Sequence, residues 1–170
     1  MTRQSLEQQW DQLRQKYSLY LCLLETIPPD RFHTRIVQGM GTPAELVVQM
    51  SAAIVRDIAQ GVADGEIKLE SPREARIVAD LGTKKAIIEF ARKCWDLADD
   101  AVRRINSKQL NATVPTPWNL EIPGWVAFSI LNDEFVHHYG QLYTYARLWG
   151  AEPPFLWGFA ESARQYRFAD

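Results

Sequence analysis

The sequence predicts an all-α protein in which four long helices pack as a single bundle, and three observations indicate it. Four long segments carry apolar residues at three- and four-residue spacings, which is the period of one helix face. No convincing run of alternating apolar and polar residues indicates strands. A chain of 170 residues suits one domain with a sizeable core, so residues 1–170 are expected to form one unit.

The first two predicted helices have clear limits. The first covers residues 4–26 and stops at the pair Pro28-Pro29. The second begins at Thr42, a good N-cap with Glu45 three residues later as in a capping box, and runs to about residue 63. Its expected inner face consists of Leu46, Gln49, Met50, Ala53 and Ile54.

The other two helices follow long links. The third is expected over residues 83–105, with Ile87, Phe90, Cys94, Leu97, Ala101 and Ile105 in helical register. The fourth begins near Trp125 and ends at Leu148. The link over residues 64–82 is long enough to join parallel helices, and a short helix is expected to start at Ser71 within it. The prolines of the link over residues 106–122 exclude one continuous helix there. At the C-terminal end, an aromatic tail over residues 155–166 is expected to pack back on the bundle.

Composition and charge exclude several classes of protein. The formal net charge of −2 leaves no electrostatic footprint for nucleic acid. The N-terminal residues have no apolar core of the secretory kind, and no run reaches the roughly 18 apolar residues of a membrane span. Cys22 and Cys94 lie far apart and form no Cys-x-x-Cys pair, so both are expected to be buried and reduced. These features favour a cytoplasmic protein.

The fourth helix carries the residues with the clearest chemical potential. Glu134, His138 and Gln141 are four and three residues apart and therefore share one helix face. That face continues through apolar residues that point to the core. A buried carboxylate and imidazole are costly unless they pair with each other or bind a metal ion, and the spacing alone allows both outcomes.

Three neighbouring or isolated residues are less informative. His137 points about 100° away from His138 and either supports the site residues from outside or lies at a helix interface, of which the interface is favoured. His33, in the link after the first helix, is expected to be exposed. Gly140, in mid-helix, either permits close approach of another helix or is simply tolerated. Of the tryptophans, Trp125, Trp149 and Trp157 are mostly expected to fill core or interface, with lining of a pocket mouth as the alternative.

The fourth helix resembles the final helix of the DinB/YfiT-like family. The resemblance is carried by the run His137-His138-Tyr139-Gly140-Gln141-Leu142, by Tyr145 to Gly150, and by Pro153-Pro154. Residues 42–49 resemble the start of the family's second helix, and residues 27–32 resemble its first link.

This resemblance implies an up-down-down-up four-helix bundle, usually dimeric. Many members of the family hold a divalent metal with one histidine from helix two and two from helix four. Some are thiol transferases or isomerases that use bacillithiol, mycothiol or glutathione. The resemblance thus implies a metal-dependent hydrolase or thiol S-transferase that acts on a small molecule with a low-molecular-weight thiol.

The chain departs from this family pattern at two of the three metal positions. Gln49 and Glu134 replace histidines, while His138 is retained, and Tyr139 replaces the usual arginine. If these three side chains still bind a metal, nickel, zinc, manganese or iron are the candidates, and His138 with Glu134 is the catalytic pair. If they do not, Gln49, Glu134 and His138 form a metal-free polar network inside the bundle.

Two classes of function follow from these alternatives. The first is an enzyme, in which a metal ion holds a thiolate or His138, backed by Glu134, acts as a general base. The second is a non-catalytic bundle that serves as a dimeric small-ligand-binding or structural protein. An open pocket over the polar triad and a dependence on metal or thiol are expected only for the enzyme.

Overall fold

Four long helices form the bundle, and short helices and a β-hairpin lie in the links. In a computed structural model of the protein, which describes residues 1–68 and 71–158 apart from the side chains of 71–73, the helices are α1 (Arg3–Thr26), α2 (Pro43–Asp64), α3 (Ser71–Asp80), α4 (Lys84–Arg104), α5 (Ser107–Asn111) and α6 (Gly124–Leu148). The hairpin pairs β1 (Thr113–Pro115) antiparallel with β2 (Glu121–Pro123). The predicted all-α bundle is confirmed.

Contacts at both ends of α1 fix the directions of its neighbours. Between α1 and α6, the ring centroids of Trp10 and Phe128 lie 6.1 Å apart, and those of Tyr17 and Phe135 lie 5.6 Å apart. Between α1 and α4, Trp10 Nε1 lies 2.8 Å from Asp99 Oδ1, and the Ile27 carbonyl oxygen lies 3.3 Å from Lys84 Nζ. Residue numbers rise together in the first two pairs and in opposite senses in the last two. Helix α6 is therefore parallel to α1, and α4 is antiparallel to it.

The contacts of α2 complete the topology. Tyr145 at the end of α6 donates to the carbonyl of Gly41, just before α2 begins, at 3.0 Å. At the opposite end, Gly124 lies so close to Val62 that an added Cβ would be 2.9 Å from a methyl carbon. Helix α2 is thus antiparallel to α6 and parallel to α4, which gives the predicted up-down-down-up order. The long link between α2 and α4 joins two parallel helices, as its length indicated.

The helix ends follow the capping signals in the sequence. Thr42 accepts a hydrogen bond from the Glu45 backbone at 3.2 Å, and the Glu45 carboxylate accepts from the Thr42 backbone at 2.7 Å, so the capping box is present. Gly65 ends α2 with a φ of +93°, a conformation that glycine adopts without steric cost. Thr83 caps α4 through the Ala86 amide.

The middle of α2 is a π-helix, which the apolar spacing did not predict. Pro43–Val48 and Ile58–Asp64 are α-helical, whereas Gln49–Asp57 forms i→i+5 hydrogen bonds. The wider turn buries every residue from Met50 to Arg56. The predicted inner face was therefore too narrow, and Gln49, which belonged to it, is only half-buried. Buried Arg56 donates from Nε to the adjacent Asp57 Oδ1 at 2.6 Å.

Helix α2 is also the one helix in the described ranges that is long and apolar enough to cross a membrane. The sequence was predicted to contain no such run. However, 78% of its most apolar window is buried inside the bundle. The apolar surface of α2 is therefore occupied by contacts with the other helices.

Two further predictions need correction. On α4, Leu97 is 37% exposed and Phe90 is half-buried, because the core face instead uses Ala91, Trp95 and Ala98. The link over residues 106–122 contains α5 and part of the hairpin, whose three-residue strands are too short to show a period in the sequence. The expected short helix at Ser71 is confirmed, and it continues to Asp80.

The aromatic tail differs from its prediction where it is described. Phe155 and Trp157 are 70% and 74% exposed, so most of the surface of these two rings is not buried in the described core. The rest of the predicted tail, residues 159–166, lies outside the described residues. Cys22 and Cys94 are both buried thiols, as predicted.

Candidate functional site

The candidate site is built on one face of α6, where His138 is the central residue. Its ring is nearly buried, since the residue is 9% exposed, and its Nε2 lies 3.5 Å from Oε2 of Glu134. The Glu134 side chain is 51% exposed. The distance exceeds the roughly 2.7–3.2 Å of a hydrogen bond, so the two groups form an ion-pair contact when His138 is protonated. The predicted pairing of Glu134 with His138 is present.

A chain of hydrogen bonds extends from the other side of the His138 ring. Nδ1 of His138 lies 2.9 Å from Oε1 of Gln141, and Nε2 of Gln141 lies 3.1 Å from Nε2 of His137. All four polar side chains lie three or four residues from their partners on the same helix. We call the residues Glu134, His137, His138 and Gln141 the α6 relay.

The α6 relay assigns hydrogens to particular ring atoms. An amide oxygen only accepts hydrogen bonds, so Nδ1 of His138 carries the hydrogen toward Gln141. The Gln141 amide nitrogen donates, so Nε2 of His137 accepts. A neutral His138 then has its lone pair on Nε2, beside the Glu134 carboxylate. This is the arrangement of a base whose protonated form has an anion at its side.

Gln49 lies on α2, a different helix from the one that carries the relay. It is the first residue of the π-helical stretch of α2 and is half-buried. Its backbone N–H donates to Glu45 and Leu46, while its side chain makes no hydrogen bond with any described residue. The π-helical stretch packs against α6. The structure thus brings Glu134 and His138 together, while the convergence of Gln49 with them stays a prediction.

The donor set does not fit the three-histidine metal implied by the family resemblance. Zinc and similar ions take at least three protein ligands in such sites. Within residues 1–68 and 71–158, no three His, Cys, Asp or Glu side chains are grouped closely enough to hold an ion. Glu134 and His138 supply two donors, and Gln49 offers a neutral amide oxygen, which nickel and zinc bind poorly.

Sequence reasoning missed a second polar cluster, which lies inside the bundle. Ser51, two residues after Gln49, is fully buried, and its hydroxyl oxygen lies 2.9 Å from that of Tyr17. Its hydroxyl also lies 3.1 Å from that of Tyr20, and Tyr17 donates to the carbonyl of Ala91 at 2.8 Å. Burial raises the pKa of both tyrosines well above the usual value. Two tyrosines one turn apart on an apolar helix face were the available signal.

Tyr139, which replaces the family's arginine, faces the core rather than the relay. It is 6% exposed, and its ring centroid lies 6.1 Å from that of Phe135. Its hydroxyl has no hydrogen-bond partner among the described residues. Burial raises its pKa above the usual tyrosine value. The substitution therefore places an unsatisfied hydroxyl in the core next to the site.

The remaining candidate residues have clear positions. His137 is exposed, so the prediction that it lies at an interface between helices of this chain is wrong. Its ring instead forms a hydrogen bond with Gln141. Gly140 is exposed, and an added Cβ would meet no atom within 4 Å. No described helix therefore approaches α6 closely enough at this position to require a glycine. His33 is exposed as predicted, with its ring nitrogen 3.0 Å from the Leu81 carbonyl.

The tryptophans near the ends of α6 are not core residues. Trp125 is 42% exposed, and Trp149 is half-buried against the core. Trp157 is largely exposed, as noted above. Trp125 and Trp157 therefore do not fill the described core, while the interface and pocket-mouth alternatives stay predictions.

Solved structures with a similar fold exist, although no protein-family model and no curated protein matches this sequence. A DinB-like protein from Bacillus subtilis is 16% identical with a TM-score of 0.66, over 83% of this chain and 91% of that one. Mycothiol-dependent maleylpyruvate isomerase is similar in two structures. One, of a point variant, is 17% identical with a TM-score of 0.61, over 96% of this chain and 68% of that one. The other is 16% identical with a TM-score of 0.60, over 92% and 68%. At this identity the likeness shows the fold alone.

Proposed function

We propose that this chain, whose fold is DinB-like, activates a low-molecular-weight thiol for addition to an electron-poor small molecule, with His138 as a metal-independent general base. The observation that carries the proposal is the state of the His138 ring. Its Nδ1 is held by the Gln141 amide oxygen at 2.9 Å, and its Nε2 lies 3.5 Å from the Glu134 carboxylate. The likeness to a mycothiol-dependent isomerase supports a thiol as the cosubstrate.

In the first step, the thiol proton moves to Nε2 of His138, which leaves a thiolate and an imidazolium. The nearby Glu134 carboxylate stabilises the imidazolium by charge attraction. Because Glu134 is half-exposed, solvent screens part of this attraction. A thiolate is the nucleophilic form of a thiol, so this transfer is the activating event.

In the second step, the thiolate sulfur adds to one carbon of a double bond conjugated to a carbonyl group. The C–S bond forms, the π electrons of the double bond shift toward the carbonyl oxygen, and an enolate results. The imidazolium of His138 then returns its proton to the α-carbon. The net change is addition of S–H across the double bond, which needs no metal, oxidant or reductant.

The direct test is a thiol-addition assay with mycothiol, bacillithiol and glutathione against an unsaturated keto acid. We expect at least one thiol to add faster with the protein than without it. Replacement of His138 by glutamine removes the base and keeps hydrogen-bonding capacity, so the enzymatic rate is expected to fall by roughly 10²–10⁴-fold.

The matched control is His33→Gln, which removes a histidine that hydrogen-bonds Leu81 and takes no part in the relay. This variant is expected to keep the wild-type rate. An unchanged rate in the His138 variant, or no acceleration with any of the three thiols, would show that the proposed function is wrong.

A second candidate function is binding of a small ligand without catalysis. It is favoured by the incomplete donor set for a metal and by the mutual hydrogen bonding of the relay residues. Saturable binding of thiol or keto acid, with no acceleration of their reaction, is the result expected for this candidate. The dimer implied by the family resemblance and the cytoplasmic location stay predictions.

A further inference from the structure

The general base proposed above needs its lone pair on Nε2, and a neutral histidine does not guarantee this. Imidazole carries its single hydrogen on either nitrogen, and the neighbouring groups select between the two tautomers. The Glu134 carboxylate, 3.5 Å from Nε2, favours a hydrogen on that atom, which would remove its basic lone pair. Another group must therefore hold the hydrogen on Nδ1.

Gln141 is the group in contact with Nδ1, and its orientation decides the outcome. With the amide oxygen toward His138, as in the structure at 2.9 Å, Nδ1 must donate and Nε2 is left as an acceptor. Rotation of the amide by 180° would turn its NH₂ group toward Nδ1 and force the hydrogen onto Nε2. The two orientations thus correspond to an active and an inactive base.

His137 is the group that opposes this rotation. Its Nε2 lies 3.1 Å from the Gln141 nitrogen and accepts the amide hydrogen. In the rotated orientation the amide oxygen would face this nitrogen, so the rotation also requires the His137 hydrogen to move from Nδ1 to Nε2. His137 and His138 lie close together, with ring centroids 5.0 Å apart, so one amide side chain spans both rings.

We propose that Gln141 and His137 are positioning residues that keep His138 in the tautomer with hydrogen on Nδ1. Gln141 contacts the ring directly, and His137 acts through the orientation of the Gln141 amide. The proposal rests on the proposed function for its catalytic consequence, while the tautomer itself is measurable without any activity. A single helix carries all the residues involved.

Nitrogen NMR of histidine-labelled protein reads the tautomer directly. The chain contains three histidines, so His137→Leu and His33→Gln variants identify each signal by its absence. Under conditions in which the ring is neutral, the wild-type His138 is expected to show a protonated Nδ1 and an unprotonated Nε2. A wild-type ring protonated mainly on Nε2 would overturn the proposal, whatever the activity of the protein.

Two substitutions of Gln141 separate positioning from packing. Gln141→Leu removes the acceptor, so His138 is expected to shift toward the Nε2-protonated tautomer and thiol addition to fall at least about tenfold, since a histidine base in the wrong tautomer loses up to about 10⁴-fold. Gln141→Glu keeps an acceptor that cannot donate, so it is expected to retain both the Nδ1-protonated tautomer and most of the activity. An unchanged tautomer in Gln141→Leu contradicts the role of Gln141.

The His137→Leu variant tests the indirect part of the proposal. It frees the amide to rotate, so a mixture of His138 tautomers is expected, together with a smaller fall in activity than in Gln141→Leu. In the double variant His137→Leu, Gln141→Glu, the Nδ1-protonated tautomer is expected to return. A His138 spectrum that does not respond to His137→Leu would rule out His137 as a positioning residue, and His33→Gln should leave the spectrum of His138 unchanged.

Discussion

At the scale of single residues, the buried tyrosines divide into satisfied and unsatisfied hydroxyls. Tyr17 donates to the backbone carbonyl of Ala91, and the hydroxyls of Tyr17 and Tyr20 both lie within hydrogen-bond distance of Ser51. The Tyr139 hydroxyl has no partner among the described residues, although its ring is in the core. The cost of an unsatisfied buried hydroxyl is about 1–3 kcal/mol, which is as large as the benefit of a good hydrogen bond.

Replacement of Tyr139 by phenylalanine is therefore expected to leave the free energy of unfolding unchanged or to raise it by about 1 kcal/mol. The matched change Tyr17→Phe removes two hydrogen bonds and is expected to lower the free energy of unfolding by about 1–3 kcal/mol. Urea denaturation of both variants measures the difference. A larger loss in Tyr139→Phe than in Tyr17→Phe would contradict the assignment of its hydroxyl.

The same tyrosines make stability dependent on alkaline pH. Burial raises the pKa values of Tyr17, Tyr20 and Tyr139 above their unfolded value of roughly 10. Below a pH of about 10 the folded and unfolded states both keep these protons, so the free energy of unfolding does not depend on pH through them. Above it the unfolded chain ionises first, so it binds fewer protons than the native state and stability falls.

We expect each of these tyrosines to lower the free energy of unfolding by about 1.4 kcal/mol for each pH unit above 10. The free energy of unfolding measured at pH 9 and pH 11 should therefore decline less in Tyr139→Phe than in the wild type. Parallel declines in the two proteins would show that the Tyr139 hydroxyl ionises equally in the folded and unfolded states.

At the scale of helices, two glycines make opposite predictions. Gly140 lies inside α6, and an added Cβ would meet open space, so Gly140→Ala is expected to raise the free energy of unfolding by about 1 kcal/mol through helix propensity. Gly61 lies inside α2, and an added Cβ would be 2.7 Å from the Cα of Ile67, which is backbone and cannot easily move. Gly61→Ala is therefore expected to be destabilising.

Thermal denaturation of the two alanine variants tests this contrast, because both changes add the same methyl group to a helix interior. Equal shifts in melting temperature would contradict it. A destabilised Gly140→Ala variant would contradict the open space found around this residue.

The helix ends and the relay spacing were predictable because they depend on local chemistry. Thr42 and Glu45 cap α2 with their own side chains, and Glu134, His138 and Gln141 meet because they are four and three residues apart on α6. The π-helical stretch Gln49–Asp57 was not predictable from apolar spacing. Its wider turn depends on what packs around α2, and residues that a helical wheel places outside are buried there.

At the scale of the whole molecule, the parallel pair of α2 and α4 was predicted from its link, and the family resemblance implied the up-down-down-up order, whereas the arrangement of the site was not predictable. A long link between α2 and α4 allowed a parallel pair, and the contacts of Arg104 with Asp64 and of Arg56 with Cys94 show one. The position of Gln49 relative to His138 depends on the rotation of α2 about its own axis. The π-helical stretch that begins at Gln49 changes that rotation, so the sequence alone could not fix it.

The central claim is that the His138 site works without a bound metal. The most direct measurement is the metal content of protein purified without a histidine tag, together with its thiol-addition rate before and after chelation. We predict substoichiometric metal and an unchanged rate, with a Gln49→His, Glu134→His double variant gaining one ion per chain if the two helices converge at these positions. One tightly bound divalent ion per wild-type chain, with a rate that chelation abolishes and that metal restores, would contradict the claim.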